Sequence, residues 1–198
     1  MRDDERVTII GLQGSGKTVH AKDLVNDIHE RTKRRVLVVD IMDEYKFPQN
    51  LATVFRIKNK SHPEAELETL LKTLIIDPWK TGVAKSKRYA AVLIDETPQF
   101  WPHGKPLPPH AALLNHTMRH MDCGLICMGR RIVQMNVDMA ELSHRLIIYR
   151  QTGKNDLKRL EDMKEGLSEA VKNLEKYHYV EVDEERNFKT CPPVIMRK

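Results

Sequence analysis

Residues 7–25, VTIIGLQGSGKTVHAKDLV, set an apolar β-branched run, a glycine-punctuated loop and a helix-forming segment in immediate succession. Gly11, Gly14, Gly16, Lys17 and Thr18 fit the pattern G-x-x-x-x-G-K-[ST]. Residues without a Cβ let successive backbone N–H groups converge on one anion, and the helix that follows turns its positive end toward the same point. The lysine neutralises phosphate oxygens, and the hydroxyl after it can ligate a divalent metal ion. Gly11, Gln13, Gly14, Ser15, Gly16, Lys17, Thr18 and Val19 are therefore the expected contacts of such a loop. A strand–loop–helix of this kind belongs at the carboxyl end of a strand in an open α/β sheet, where such sheets bind ligands.

The rest of the chain agrees with that placement. Apolar runs predict strands at 7–10, 36–40, 54–57, 90–95, 124–128 and 145–149, with helical patterns between them at 18–32 and 62–75 and a short helix near 111–122. Alternation of this kind implies an α/β fold, a mostly parallel sheet flanked by helices, and together with the loop motif it resembles the P-loop NTPase (RecA/ASCE-like) type. The proline-rich stretch at 98–110 reads as an irregular loop. Beyond residue 150 the sequence predicts one amphipathic helix at 156–176 and a β-hairpin turning near 184–187. With no linker composition in between, one domain is expected over 1–198, its core at 1–150 and its tail at 151–198 packed on it.

The stretch AAVLIDETPQF supplies the second chemical signal. A buried strand ending in Asp95 and Glu96 reads as a Walker B element. The aspartate, with Thr18, would hold Mg²⁺, and the adjacent glutamate would polarise an attacking water. An aspartate alone suits a switch or a kinase; the pair suits sustained hydrolysis of ATP.

Composition narrows the class further. Hydrophobic residues make up 40% of the 198 and charged residues 31%, which describes an ordinary globular chain. The longest apolar runs are too short to cross a bilayer, and the polar start MRDDERV is unlike a signal peptide, so no membrane insertion and a cytoplasmic location are expected. Cys123, Cys127 and Cys191 fit neither a disulfide set nor a zinc pattern and read as reduced thiols. The net charge is +5, and since residues 151–198 hold ten basic and ten acidic side chains, the excess lies in residues 1–150. The basic clusters at 31–35 and 80–88 read singly as solvated surface; together they are candidate contacts to a DNA backbone.

A third motif points to a family. In VLVVDIMDEYKF, Asp40, Glu44 and Tyr45 match a V-h-D-x-x-x-E-Y stretch, and the layout of residues 119–150 follows it: an arginine, a strand, a polar strand end, a further strand ending in a basic residue. In these motifs the chain resembles ATPases of the HerA/FtsK superfamily, most of all the compact genome-packaging ATPases of membrane-containing viruses. The resemblance covers residues 7–150. It implies a homohexameric ring that hydrolyses ATP with Mg²⁺ and moves double-stranded DNA through phosphate contacts, with a capsid or portal protein as a further partner and association with the virion. It implies that Arg119 is an arginine finger reaching a neighbouring subunit's nucleotide; the plain alternative is a surface arginine paired with Asp122 or Glu141. Arg150 would touch phosphate within its own subunit. The chain departs from the pattern where a glutamine sensor is expected. Gly129, Arg130 and Arg131 stand there, and Gln134 follows further on, so Arg130 becomes the candidate contact to the γ-phosphate.

Two other readings fit the same residues. One is a small P-loop kinase with Asp40 or Glu44 near an acceptor. The other is a nucleotide-controlled interaction module that hydrolyses ATP slowly. His116 and His120, four apart with no carboxylate at ligand spacing, read as helix surface.

Overall fold

A computed structural model describes residues 4–59 and 61–195. Eight strands form one sheet in the order β3-β2-β4-β5-β1-β6-β7-β8. They are β1 (Arg6–Ile10), β2 (Val36–Asp40), β3 (Ala52–Arg56), β4 (Ala91–Ile94), β5 (Gly124–Gly129), β6 (Arg145–Tyr149), β7 (Tyr179–Val182) and β8 (Phe188–Cys191). β1 to β6 pair in parallel, and the last two strands run antiparallel. The central strands are buried along their whole length and are mostly apolar, because both of their faces are covered.

Among the described residues seven α-helices cover the sheet. They are α1 (Lys17–Thr32), α2 (Pro63–Leu70), α3 (Asp77–Lys80), α4 (Pro109–Met121), α5 (Val137–Glu141), α6 (Lys154–Met163) and α7 (Leu167–Lys172). Alternate strand residues feed two cores. Val7, Ile9, Val36 and Val38 pack with Ala21, Leu24, Val25 and Ile28 of α1. Ile10, Leu37 and Val39 face the other way, into a core shared with Leu67, Leu114, Met139, Leu160 and Leu167 from the remaining helices. The loop after β1 and the acids after β4 therefore open on the same edge of the sheet, with β5 between them.

Several expectations shift in detail. The predicted helix at 62–75 runs on as a π-helical segment, Leu71–Ile76, into α3. Pro78 lacks an N–H and its ring crowds the carbonyl four residues back, and a widened turn just upstream accommodates it. The single tail helix expected at 156–176 is two. Gly166 takes φ 79°, and its N–H, with the N–H and hydroxyl of Ser168, donates to the Glu161 carboxylate, which ends one helix and starts the next. The hairpin is present, its turn held by the Asp183 carboxylate accepting from the N–H groups of Glu185 and Asn187. It continues the sheet beside β6 as two further strands.

The basic clusters are partly built into the fold. Arg34 is buried and donates to the carbonyl of Asp122 at 2.8 Å, Arg88 donates to that of Met121 at 3.1 Å, and Lys85 bonds the Asp122 carboxylate at 2.9 Å. Both clusters meet where α4 ends. Cys123 and Cys127 are buried, and burial pushes each thiol up to about 12; Cys191 is partly exposed, and all three are free. No helix among the described residues is long and apolar enough to cross a membrane.

Candidate phosphate-binding site

The loop leaves β1 at Gly11, whose N–H donates to the carbonyl of Gly129 at the end of β5. A Cβ on Gly11 would lie 2.5 Å from Ser15 Oγ and 2.7 Å from Tyr149 Cβ, so no side chain fits there. Gly14 and Gly16 take φ 75° and 105°, the left-handed region that glycine enters without a Cβ clash. Gly16 then starts α1, accepting from the N–H of His20 at 3.0 Å. Lys17 is buried and its Nζ donates to the carbonyl of Leu12 across the loop at 3.2 Å. Burial lowers its pKa, while Glu96 and Asp95 act in the opposite direction. The buried Ser15 hydroxyl has no partner among the described residues. A concave loop with an unsatisfied hydroxyl, a fenced lysine and the head of a 16-residue helix is suited to an anion.

Asp95 and Glu96 stand at the carboxyl end of β4. Asp95 is buried, and burial, with Glu96 beside it, pushes its carboxyl up to about 7. Glu96 takes a left-handed conformation, φ 48° and ψ 46°, which turns the chain sharply, and its N–H donates to Asp95 Oδ1 at 3.0 Å. The turn is pinned by Thr97, whose hydroxyl donates to the carbonyl of Ile94 at 2.9 Å and accepts from the N–H of Met128 on β5 at 3.0 Å. At the end of that same strand Arg130 donates from Nε to Glu96 Oε1 at 2.7 Å. This hydrogen bond raises the pKa of the already cationic Arg130. Its carbonyl accepts from the buried Gln151 side chain at 3.2 Å, and the neighbouring Arg131 pairs with buried Asp156 of α6 at 2.8 Å. The strand end in the sensor position is therefore held from the tail, a support that composition of the tail did not suggest.

The D-x-x-x-E-Y stretch has a structural explanation. The buried Asp40 carboxylate accepts the N–H groups of Met42, Glu44 and Tyr45, which folds the five residues into a tight loop. That loop buries Tyr45 against Met128 and brings Glu44 Oε2 to 3.3 Å from the Thr18 hydroxyl. Glu44 was legible as a motif position, but its approach to Thr18 was not.

The remaining candidates separate. Gln13 and Val19 are exposed on the loop and the first turn of α1. Arg150 lies beside the loop, lining with Leu12, Gln13 and Ser15 a cavity of about 400 Å³. Gln134 shares a different cavity, about 550 Å³, with Glu96 and Arg130. Arg119 sits elsewhere. It is 78% exposed and pairs at 3.5 Å with Asp4, just before β1, rather than with Asp122 or Glu141. The length of β1, about 17 Å at roughly 3.3 Å per residue, separates that position from its own loop. His116 and His120 are exposed.

No protein-family model matches the chain, and no curated protein matches it. Solved structures do. The chain is similar to the genome packaging NTPase B204 from Sulfolobus turreted icosahedral virus 2, solved with ATP-γ-S, at a TM-score of 0.81 and 19% identity over 98% of this chain and 100% of that one. It is similar to B204 described as the DNA-packaging ATPase from Sulfolobus turreted icosahedral virus, at 0.80 and 20% over 98% and 100%. VirB4 of Thermoanaerobacter pseudethanolicus follows at 0.68 and 12% over 96% and 89%. At these identities the likeness is one of fold. The α/β architecture read from the motifs, a mostly parallel sheet flanked by helices of the P-loop NTPase type, is the architecture observed.

Proposed function

We propose that this chain is a Mg²⁺-dependent ATPase that drives double-stranded DNA as one subunit of a ring. The observation that carries the reading is the hydrogen bond between Arg130 and Glu96 at 2.7 Å, at the end of the strand between the phosphate loop and the paired acids. It groups a cation fit for a γ-phosphate with a carboxylate fit to orient water. Gly11 to Val19 would hold the nucleotide phosphates, with Lys17 neutralising their charge. Glu96 would polarise water once Arg130 turns to phosphate, and Arg119, remote from its own loop, would act on a neighbouring subunit's nucleotide.

The residues also fit a magnesium ion. Among the described residues no group of three His, Cys, Asp or Glu side chains forms a ready cation cage. Magnesium is commonly bound through one or two protein oxygens together with phosphate oxygens. Thr18 Oγ1 and Asp95 would be the donors, and the crowding of Asp95 by Glu96 is what a cation would relieve. Bound there, the ion would neutralise phosphate charge.

The likeness to packaging ATPases supports DNA as the cargo, and a capsid or portal protein as the body on which a ring would act. Contacts would be to DNA phosphates, so binding would fall steeply with salt. The deciding measurement is ATP turnover by the pure protein with and without double-stranded DNA, together with its mass in solution. Stimulation by DNA in a ring-sized species is expected. Phosphate transfer to a small acceptor by a monomer would overturn the reading.

A further inference from the structure

Beside the phosphate loop the tail builds a second, uncharged cavity. About 270 Å³ in volume, it is lined by Gly16, Val19, Tyr149, Tyr177, Pro193 and Val194. None of these side chains carries a charge, so the cavity does not suit phosphate. Its position does suit what is attached to phosphate. Gly16 and Val19 flank the Lys17–Thr18 pair at the head of α1, where the loop's backbone holds the α- and β-phosphates of a nucleotide.

Two tyrosines, Tyr149 at the end of β6 and Tyr177 in the tail, close the space. A Cβ built on Gly16 would lie 3.5 Å from Tyr149 Cε1 and 3.6 Å from Tyr177 Cδ1, so both rings reach the loop. Tyr149 is buried and its hydroxyl is already paired with His20 Nδ1 at 3.1 Å. Tyr177 is different. It is 45% exposed, sits in the left-handed region at φ 66°, and carries the Lys176 ammonium 4.9 Å from its ring centre. A bulky residue in that conformation is held there by its surroundings. What it presents beside the loop is an aromatic surface, and exposed Val19 lines the same cavity.

We infer that this cavity takes the purine base of the nucleotide, stacked on Tyr177 and packed on Val19 and Pro193, so that the tail supplies the base subsite. The inference rests on the loop binding nucleotide phosphates. Recognition here is by area. With the Tyr149 hydroxyl committed to His20 and no charged group on the walls, the site favours a large π-surface over a small one. A purine therefore gains more than a pyrimidine on the same phosphates.

Calorimetric titration of the full chain with ADP, UDP and inorganic pyrophosphate tests this. Wild-type protein should bind ADP more tightly than UDP, and Tyr177→Ala should weaken ADP by about tenfold, the lower end of what stacking on an aromatic contributes. Pyrophosphate affinity should hold, which also shows that the variant is folded, and Tyr177→Phe should restore ADP binding. Unchanged ADP affinity in Tyr177→Ala overturns the base subsite while leaving the phosphate loop intact. An equal loss for all three ligands overturns it too, because Tyr177 would then be shaping the loop. If wild-type protein binds none of the three, the phosphate reading fails and the base subsite with it.

Discussion

Arg130 donates to Glu96 at 2.7 Å, so the carboxylate proposed to orient water is held by the cation proposed to meet the phosphate. The two groups cannot both serve a nucleotide while bonded to each other. An arriving anion would compete with Glu96 for Arg130 and free the carboxylate for water.

That coupling predicts how the two residues differ when removed. Arg130 is 45% exposed, and exposed pairs contribute about 0–1 kcal/mol, so Arg130→Ala should melt within a few degrees of wild type. Its ATP turnover should nevertheless fall by tenfold or more, roughly one electrostatic contact to the transition state. Glu96→Gln should retain nucleotide binding and lose about 10²-fold or more in turnover. Steady-state hydrolysis with a binding titration checks both. Faster hydrolysis in Arg130→Ala would mean that the arginine only restrains Glu96.

Gly11 and Gly14 are glycine for different reasons, and alanine should separate them. At Gly11 a Cβ meets Ser15 Oγ and Tyr149 Cβ below 3 Å, so something must shift, and the buried Tyr149 Cβ is not a flexible chain end. Gly11→Ala should cost about 1–3 kcal/mol of stability and reshape the loop. At Gly14 the space is open and only the φ of 75° resists a side chain, so Gly14→Ala should cost about 1–2 kcal/mol and leave the tyrosine packing intact. Denaturant unfolding and ADP titration of the two variants make the comparison. Equal loss of nucleotide binding in both would show that the clash at Gly11 is relieved by movement.

Much of this was legible before any coordinates. β2 and β6 occupy the predicted positions because strands covered on both faces must be apolar along their length, and that pattern survives without tertiary context. The loop and the paired acids were legible because their chemistry depends on residue type at short spacing. Other features arise only once distant segments meet. Nothing near Glu44 indicates that Asp40 will gather three N–H groups and swing it to Thr18. Nothing near Tyr177 indicates that the tail hairpin joins β6 and brings that ring to the loop. The break at Gly166 was missed because helical periodicity on either side of it is nearly in phase, whereas the Glu161 carboxylate that captures the new helix start is a local competitor to the ladder.

Asp95 predicts a pH dependence. Its carboxyl is near 3.8 when unfolded and about 7 when folded. The protonated form is therefore favoured by folding, and this contribution to stability is complete below the unfolded value and lost as pH rises through about 7. Asp95→Asn should be more stable than wild type at about pH 8, on the order of 2 kcal/mol, with the advantage shrinking toward pH 4. In the wild type, divalent-cation affinity should rise through about pH 7 as the carboxylate becomes available. Thermal melts of the two proteins across this range check the sign. A variant no more stable than wild type at high pH would show that Asp95 is ionised without penalty.

Arg119 carries the most specific consequence for assembly. It lies at the amino-terminal edge of the sheet, 78% exposed and paired only loosely with Asp4, while its own loop opens at the opposite edge. A role in hydrolysis therefore requires a second subunit whose loop it can reach. Arginine fingers contribute about 10³ to 10⁵ in rate, so Arg119→Ala alone should be nearly inactive although it folds and binds nucleotide. Lys17→Ala should be inactive because its loop cannot hold phosphate. Mixed together, the two form some interfaces in which an intact loop from Arg119→Ala faces an intact arginine from Lys17→Ala. ATP turnover should recover in part, with a maximum at an intermediate ratio. No recovery at any ratio, with both proteins shown to assemble, would return Arg119 to an ordinary surface residue.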